Sequence, residues 1–342
     1  MNYGLPYKGS KNRIAKKILD TLPPAPVLYD VFCGGCAVTH AALLSGKYSR
    51  VVANDINGMI PHAFETAMTG GFSNEDRWIS RDDFQRLYKT DPYVAICFSF
   101  GNNLREYCYA RELEPYKRAL HYAIFWKDIA PWAELCPETA DALKKAVESE
   151  QDRHKRRIGA GRAIVTALKA GLMNGTIDPA VMNKPIYKKI RLHNKLISPH
   201  LESCERLERF ERLKNLETLQ TDESLCRLQR LGSLERITDV HVPPVLTVTT
   251  GDYRALNFER GGIIYCDPPY KSTEERYGRE FDFDAFYSWC LHQANPVYIS
   301  EYTMPEDLFA PVASFTVIRK MDTKKSSICP EKIWRPRCQL GI

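Results

Sequence analysis

The part of the sequence best suited to chemistry is the tetrapeptide Asp-Pro-Pro-Tyr at residues 267–270. It follows the apolar run GIIYC, so a buried strand is expected to end at the acid. Two successive prolines restrict the backbone and remove two N–H donors. The turn would then present a fixed carboxylate on Asp267, an outward-facing carbonyl on Pro268 and an aromatic ring on Tyr270. An ordinary strand-ending turn is the competing interpretation.

These three groups suit the exocyclic amine of a nucleobase. That nitrogen is a poor nucleophile because its lone pair is delocalised into the ring. Two acceptors on its hydrogens would favour a pyramidal nitrogen and stabilise the positive charge that develops during attack. The Tyr270 ring could stack on a base extruded from a duplex. We therefore predict that Asp267, Pro268 and Tyr270 are catalytic.

A second stretch, DVFCGGCAV at residues 30–38, has the order strand, glycine turn, helix. Gly34 and Gly35 would let a ligand approach the backbone, since neither carries a Cβ. Asp55 ends the next apolar run, at a spacing that suits hydrogen bonds to ribose hydroxyls. A nucleoside site and a purely structural glycine turn fit this pairing equally well.

Cys33 and Cys36 flank the two glycines and have three possible roles. Zinc needs four ligands, and the sequence has no second CxxC or HxxxH pair to complete the set. A redox pair would open a helix after a tryptophan or similar residue and would lack a downstream nucleoside acid. We favour the third role, small residues in a cofactor turn, and predict no metal.

Six apolar runs are predicted to form strands that are buried on both faces, because they lack strict alternation. They cover residues 27–32, 50–55, 245–250, 262–267, 296–300 and 314–320. Helical segments at 37–46 and 282–294 separate some of these runs. Alternation of strands and helices predicts an α/β fold with a mostly parallel sheet.

The region between the second and third predicted strands is polar and mainly helical in pattern. It contains an aromatic-rich segment at 98–126 and the basic clusters RHKRR at 153–157 and KPIYKKIRLHNK at 184–195. We interpret it as an insertion into the α/β domain. Its Lys and Arg residues would neutralise phosphates, although solvated helix faces would have the same composition.

Residues 201–237 carry apolar side chains on every third position, interrupted only at Asp222. A strict triplet drifts around an α-helix, and a long 3₁₀-helix that would keep it in register is rarely stable. The pattern predicts a helix over 198–216 and an irregular or solenoid-like structure after it. An expanded linker is the alternative.

The composition is that of an ordinary globular protein of 342 residues, with a formal net charge of +6. This excess allows a polyanionic partner without requiring one. The eleven cysteines follow no framework pattern, which predicts free thiols in a reducing compartment. The sequence shows neither a signal peptide's apolar core nor a run long enough to span a membrane, so the predicted location is cytoplasmic.

The order of the motifs resembles the D12 class of DNA adenine-N6 methyltransferases, the family that includes the Dam enzymes. The matching elements are YGLPYKGSKNRIAKKIL, DVFCGGCAV, NDIN, an inserted region, GDY, DPPY, VYISEY and KIWRP. The resemblance is good over residues 3–62 and 245–335 and loose between them. DPPY together with PYKGSK is the specific part of it.

The resemblance implies a Rossmann-like methyltransferase that uses S-adenosylmethionine. Residues 1–62 and 245–342 would form a discontinuous catalytic domain, 63–200 an inserted DNA target-recognition region, and 201–244 a triplet-repeat linker. The implied reaction is direct methyl transfer to the N6 amine of a flipped adenine in a specific DNA sequence. Alternatives are a cytosine-N4 or RNA adenine methyltransferase, or a catalytically silent DNA-binding protein. DPPY rather than SPPY and the large insertion favour DNA adenine.

The resemblance also assigns residues. Those implied to contact the cofactor are Tyr7, Lys11, Phe32, Gly34, Gly35, Asp55, Asp252, Tyr253 and Asp267. Candidates for DNA contact are Asn102, Asn103, Arg105, Arg156, Lys188, Lys189 and Arg191. Cys36 stands where the family has a glycine, which weakens the expectation that this backbone touches the cofactor.

The partners that the resemblance implies are double-stranded DNA and, in addition, a cognate restriction endonuclease. Neither a metal nor a membrane is expected. The Asn/Arg/Phe-rich recognition segment of Dam enzymes that read GATC is not found, so the target sequence is not carried over from the family.

Overall fold

A computed structural model describes residues 3–72, 75–193, 196, 198–207, 244–270, 281–321 and 325–341. The chain divides into two compact units. The sheet unit comprises Met1–Thr69 and Lys214–Ile342, and the helical unit comprises Gly70–Leu213. The side chains of residues 191–193, 317–321 and 325–329 are outside the description.

The sheet unit is built on seven strands in the order β3-β2-β1-β4-β5-β7-β6. They are β1 (Ala25–Asp30), β2 (Tyr48–Asp55), β3 (Val245–Thr250), β4 (Ile263–Cys266), β5 (Val297–Glu301), β6 (Phe309–Met321) and β7 (Lys325–Pro336). Strands β1 to β5 are parallel, and β7 runs antiparallel to both of its neighbours. The predicted α/β class with a mostly parallel sheet is confirmed.

Helices cover both faces of the sheet. They are α1 (Ala15–Thr21), α2 (Ala37–Leu43), α3 (Met59–Met68) and, after the helical unit, α12 (Phe283–Leu291). Successive residues of β2 show the two-sided burial, because Val51 packs in the cluster that holds α1 and α2, whereas Val52 packs in the cluster that holds α12. This explains why the strands lack the alternation of a half-exposed sheet.

The chain order around β1 creates a crevice. From β1 the chain continues outward to β2 and β3 on one side, while β4 and β5 lie on the other side. The border between β1 and β4 is therefore a topological switch point, where ligands bind outside the carboxyl ends of the strands. The residues that end β1, β2 and β4 are consequently placed at one edge.

Two elements differ from their predicted form. β7 was not predicted as a strand, and β6 begins at Phe309, five residues before the predicted start. The pair forms a long antiparallel hairpin in which Phe309 opposes Pro336. Pairing along this length stabilises β7 and the first residues of β6 as strands, although these segments lack an apolar run of their own.

The described part of the helical unit contains eight helices. They are α4 (Arg81–Leu87), α5 (Pro92–Cys97), α6 (Glu114–Trp126), α7 (Ala130–Leu135), α8 (Pro137–Glu148), α9 (Arg153–Met173), α10 (Pro185–His193) and α11 (199–207). Their core includes Leu120, Trp132, Leu143, Ile164 and Tyr187, all buried.

Helix α11 is the described part of the predicted helix over 198–216. It places Leu201, Cys204 and Leu207 of the triplet register in buried positions. The rest of the triplet repeat lies outside the described residues. Helix α3 crosses residue 63, where the predicted insertion begins, and belongs to the sheet unit.

A buried chain of polar groups links α6 and α11. The His121 Nε2 lies 2.7 Å from the Asp76 carbonyl, so this nitrogen carries the hydrogen. Its Nδ1 must then accept from His200 Nε2 at 3.1 Å, and His200 Nδ1 accepts from the Tyr109 hydroxyl. In this arrangement both imidazoles are neutral, and their burial disfavours the charged form of each.

Acid should therefore destabilise the helical unit. Burial lowers the pKa of His121 to about 4 from its ordinary 6.5. Between pH 6.5 and about 4, His121 is protonated in the unfolded chain but not in the folded chain. The free energy of unfolding therefore falls as the pH drops through this window, by roughly 3 kcal/mol for this histidine. Urea unfolding followed by tryptophan fluorescence between pH 7 and 4 measures the loss.

The variant His121→Asn should flatten that acid dependence, whereas His62→Asn, at an exposed position of α3, should leave it unchanged. An acid slope in His121→Asn equal to that of the unchanged protein would contradict the neutral-pair interpretation.

Candidate active site

Three aspartates meet at the carboxyl edge of the sheet. Asp30 is the last residue of β1 and Asp55 the last of β2, while Asp267 directly follows β4. Asp30 is in register with Ala53 and with Tyr265, so each of the other two acids lies two residues beyond its level. The fold thus brings together carboxylates that are more than two hundred residues apart in sequence.

The glycine turn between β1 and α2 receives the N-terminal segment of the chain. A Cβ on Gly35 would lie 2.5 Å from the Tyr7 Cβ, and the Leu5 N–H donates to the Gly35 carbonyl at 2.7 Å. Gly34 has φ +45° and donates its N–H to Asp55 Oδ2 at 2.9 Å. The close approach that requires Gly35 is therefore made by Tyr7 itself.

The two cysteines of this turn are buried and face each other. Their sulfurs are 3.6 Å apart, and both are free thiols. Burial raises the pKa of Cys33 and of Cys36, which keeps both thiols protonated. Cys36 has φ +57°, a left-handed conformation that glycine adopts at no steric cost. This local geometry is the reason a glycine would also suit position 36.

Asp30 is a functional candidate that the sequence reasoning missed. Its side chain is buried, and Oδ2 accepts from the Thr39 N–H and hydroxyl at 3.1 and 2.7 Å. Oδ1 has no hydrogen-bond partner in the described part of the chain. Burial raises the pKa of Asp30 to about 7, and the charges of Asp267 and Asp55 add to this shift. Its position at the end of the first strand was the available signal.

The carboxylate of Asp55 is oriented by two backbone donors. Oδ2 accepts from Gly34 and Oδ1 from the Asn57 N–H at 2.9 Å. Burial nevertheless raises the pKa of Asp55 above its ordinary value. The neighbouring Ile56 is 65% exposed and gives this end of the site an apolar surface.

Lys11 joins the N-terminal segment to the Asp-Pro-Pro-Tyr turn. Its Nζ lies 2.7 Å from Asp267 Oδ1 and 4.6 Å from the centroid of the Tyr270 ring. Burial raises the pKa of Asp267 to about 6, and the Lys11 charge opposes that shift. The acid predicted to be catalytic and the lysine predicted to contact cofactor are thus paired with each other.

A buried glutamate on β7 completes this group. Glu331 accepts a hydrogen bond from the Tyr270 hydroxyl and lies 3.7 Å from Lys11 Nζ. Its role was not predicted, because Glu331 lies in the polar stretch CPEKIW, which matches no strand pattern. Only the antiparallel course of β7 brings it to this edge.

Aromatic side chains form the wall beside β1 and β3. Phe32 packs on Tyr253 with ring centroids 5.1 Å apart. Tyr253 is largely buried, whereas Asp252 caps the following turn and pairs with Arg254 at 2.6 Å. The structure therefore uses the Asp252 carboxylate locally, in a pairing that the sequence reasoning did not expect.

The electrostatic character of the edge is acidic. Asp30, Asp55 and Asp267 all have pKa values raised by burial. Lys11 is the cation that the described contacts place among them. Burial disfavours the charged form of each carboxylate, and this is the main cause of the three shifts. The carboxylates at this edge outnumber the cations that the described contacts place there.

The structure places Arg156, a predicted DNA contact, in the interior of the helical unit. Its guanidinium is buried and donates to the carbonyls of Ile124, Phe125, Glu150 and Gln151. Arg156 is therefore a structural residue of the helical unit. It lies four residues before Ala160 on the buried face of α9, and this spacing was a signal in the sequence.

Two of the predicted polar contacts shape a loop instead. Asn102 donates to the Ile96 carbonyl at 2.8 Å and to Ser203 Oγ at 2.9 Å. Asn103 Oδ1 accepts from the N–H groups of Arg105 and Glu106 at 3.0 Å. The amides hold the loop's backbone, which leaves them little capacity for reading bases.

Several other side chains of the helical unit are exposed, and they include three of the predicted DNA contacts. Phe100, at the start of the same loop, is 64% exposed, and Arg105 is exposed beside it. Lys188 and Lys189 are exposed on α10. The side chain of Arg191 lies outside the described residues. Phe100 was missed because an aromatic residue in an apolar stretch is ordinarily assigned to the core.

Comparison with known proteins supports an adenine-specific DNA methyltransferase. The family model of the D12 class N6 adenine-specific DNA methyltransferases matches residues 7–89. This region contains the N-terminal segment, the glycine turn and Asp55. A search of curated proteins gave no match.

Two further searches concern the described residues alone. None of their helices combines the length and apolar composition needed to cross a lipid bilayer. Their His, Cys, Asp and Glu residues form no group of three or more that could hold a metal ion.

Removing the charge of Asp30 should stabilise the protein without cofactor. Because its pKa is raised from 3.8 to about 7, the folded state holds a proton that the unfolded state releases, and stability falls as pH rises through this window. The cost above pH 7 is up to about 4 kcal/mol. Asp30→Asn removes it but buries an unpaired N–H, which leaves an expected gain of about 2 kcal/mol.

Urea unfolding at pH 8 measures that gain. Asp252→Asn is the matched control, because the pKa of Asp252 is lowered by its hydrogen bond to Arg254 and its variant should gain nothing. An Asp30→Asn protein less stable than its parent at pH 8 would show that the buried carboxylate is compensated by interactions other than those described.

Proposed function

We propose that this adenine-specific DNA methyltransferase transfers the methyl group of S-adenosylmethionine to the N6 amine of an adenine extruded from double-stranded DNA at a specific sequence. The observation that carries the proposal is the meeting of Lys11, Asp267 and Tyr270 at the edge that also holds Asp30 and Asp55. It unites an acceptor turn for an amine with an acidic pocket at a switch point.

The acidic edge favours this cofactor over nucleotides that carry phosphate. S-adenosylmethionine supplies a methyl group activated by a positively charged sulfonium, and it has an ammonium group as well. The buried Oδ1 of Asp30, with no partner in the described protein, fits such a cation. Pairing with positive charge would favour the ionised carboxylates that the protein alone disfavours.

The remaining cofactor contacts follow from the same edge. Asp55, oriented by Gly34 and Asn57, would accept from ribose hydroxyls. Phe32 and the exposed Ile56 would offer apolar surface to the adenine ring. The Tyr7 side chain packs against Gly34 and Gly35 and so supports the conformation of the glycine turn.

The acceptor turn prepares the target amine. Lys11 contacts Oδ1 of Asp267, and in this proposal Oδ2 would accept one amine hydrogen and the Pro268 carbonyl the other. The Lys11 ammonium favours the ionised carboxylate that the reaction needs. Proximity and electrostatics then supply most of the rate, and the direct attack requires no covalent enzyme intermediate.

The helical unit would supply the DNA surface. Helix α9 has no Asp or Glu among its 21 residues, and Lys155, Arg162 and Lys169 are exposed at seven-residue intervals along it. Residues seven apart share one helix face, so these side chains form a basic stripe. A basic stripe on a helix whose own sequence has no acidic residue suits a row of phosphates. A solvated helix face ordinarily carries both signs, as α8 does.

The exposed Phe100 adds a non-electrostatic contact. An aromatic side chain on a loop tied by internal hydrogen bonds can insert between bases, and Arg105 beside it can hold a phosphate or base edge.

A cognate restriction endonuclease is a further predicted partner. A coding sequence for one beside this protein's own would support it, and the cytoplasm is the corresponding predicted location.

Methyl transfer should depend on the Asp267 carboxylate. Asp267→Ala removes an acceptor of the reacting amine and is expected to lower the single-turnover rate by at least about 10²–10³-fold while DNA affinity changes little. Transfer of labelled methyl to duplex DNA, followed by mass spectrometry of the nucleosides, measures the rate and identifies the base. In the unchanged protein the rate should rise with pH through about 6.

Asp284→Ala, at an exposed position on α12, is the control and should retain full activity. N4-methylcytosine in the product would favour the cytosine alternative, and methylated RNA the RNA alternative. Near-normal turnover of Asp267→Ala would remove this carboxylate from the chemistry.

The basic stripe on α9 should determine part of the salt dependence of DNA binding. Each phosphate contact contributes about 0.9 to the slope of log K against log salt. Lys155→Gln with Arg162→Gln should therefore reduce this slope by about 2, measured by fluorescence anisotropy of a labelled duplex. The exposed Lys144 and Lys145 of α8 provide a control of equal charge change, and equal slopes for the two double variants would contradict the proposed surface.

A further inference from the structure

We propose that Glu331 is a positioning residue of this site, which holds Tyr270 by its hydroxyl and Lys11 by its charge so that the stacking ring and the acceptor carboxylate are fixed before DNA binds. The inference rests on the proposed function, since it concerns how the methyl-transfer site is arranged. Nothing in the motif pattern of the sequence points to this residue.

The antiparallel course of β7 explains how Glu331 reaches the site. Strand β5 ends at Glu301, which pairs with Lys332. Glu331 lies one residue beyond this end and remains paired with Phe315 of β6. Parallel strands contribute to the carboxyl edge only through their last residues and the loops that follow. The antiparallel strand instead delivers a side chain from within a paired segment, where the backbone is held on one side by β6.

The contacts of Glu331 all belong to the active site. Its carboxylate accepts from the Tyr270 hydroxyl and lies 3.7 Å from Lys11 Nζ, which itself contacts Asp267 Oδ1 at 2.7 Å. Glu331 is 3% exposed and Tyr270 7% exposed. A buried carboxylate is expensive unless it is paired and hydrogen-bonded. The partners that make this burial tolerable are the ring and the cation of the reaction site.

Two consequences separate positioning from simple packing. The negative charge of Glu331 raises the pKa of Asp267, so removing the charge should make that acid stronger. The hydrogen bond to Tyr270 restrains a ring that otherwise touches Tyr302 edge-on at 4.6 Å. A glutamate that only anchors β7 would affect stability and neither of these properties.

The test compares Glu331→Gln with Tyr270→Phe. Glutamine keeps the shape and an acceptor for the Tyr270 hydroxyl but removes the charge. We expect the acid limb of the single-turnover pH profile to shift from about 6 toward lower pH, with less than a tenfold change in rate at pH 8. Tyr270→Phe keeps the charge and loses the hydrogen bond. It should lower the rate about tenfold, and because the Tyr270 hydroxyl lowers the pKa of Asp267, its loss should move the acid limb to higher pH, opposite to the shift in Glu331→Gln.

The double variant and a control complete the comparison. Without the hydroxyl there is no hydrogen bond left to lose, so the double variant should match Tyr270→Phe in rate at pH 8. Its acid limb should lie at lower pH than that of Tyr270→Phe, because the charge of Glu331 is gone as well. Glu306→Gln, at an exposed position of the sheet unit, should behave as the unchanged protein. An acid limb that does not move in Glu331→Gln would overturn the proposal.

A readout without activity keeps the two proposals distinct. The carboxyl titration of Asp267, followed by NMR in carbon-labelled protein, should shift to lower pH in Glu331→Gln whether or not methyl is transferred. If the unchanged protein methylates no nucleobase, the proposed function fails, while this titration still decides the coupling. An unaltered titration in a folded Glu331→Gln protein would overturn this inference and leave the proposed function unaffected.

Discussion

The ion pair between Lys11 and Asp267 connects segments that are 256 residues apart in the chain. A carboxylate with little access to water requires a cation or several donors, and here the cation comes from the N-terminal segment. The same segment brings Tyr7 against Gly35, at a distance that leaves no room for a side chain on the glycine. The orientation of the acid and the path of the N-terminal segment are therefore set together. Neither half of the site has its final form without the other.

The charge of the edge distinguishes this site from phosphate-binding sites of similar topology. A strand, a glycine turn and a helix commonly hold phosphate through backbone N–H groups. In this protein the Gly34 N–H is directed at the Asp55 carboxylate, and Asp30 and Asp267 stand at the ends of the two central strands. One topology thus serves ligands of opposite charge, because the residues at the strand ends decide which charge is tolerated. Burial raises the pKa values of Asp30 and Asp267, so a positive charge placed beside them would favour their ionised forms.

The sequence predicted the parallel part of the sheet because buried runs such as IIYC carry their own signal. It also identified Asp267, Tyr270, Lys11 and Asp55, because the short motifs that contain them can be recognised without knowledge of the fold. Glu331 could not be predicted, since its importance arises from the pairing of β7 with β5 and β6. The burial of Arg156 was not predicted, because a basic cluster does not by itself indicate which cation turns inward. Arg156 lies on the core face of α9 together with Ala160, Ile164 and Leu168, and this four-residue spacing identifies it as the cation that turns inward.

The interruption of the sheet has a consequence for biosynthesis. Strand β2 pairs with β3, yet Asp55 and Val245 are separated by the whole of Gly70–Leu213. A ribosome therefore releases the first two strands long before any of their remaining partners exist. The inserted unit is contiguous in sequence and can close its own core in the meantime. Its early compaction would shorten the effective distance between the two halves of the sheet, and so reduce the entropy lost when β3 finally docks beside β2.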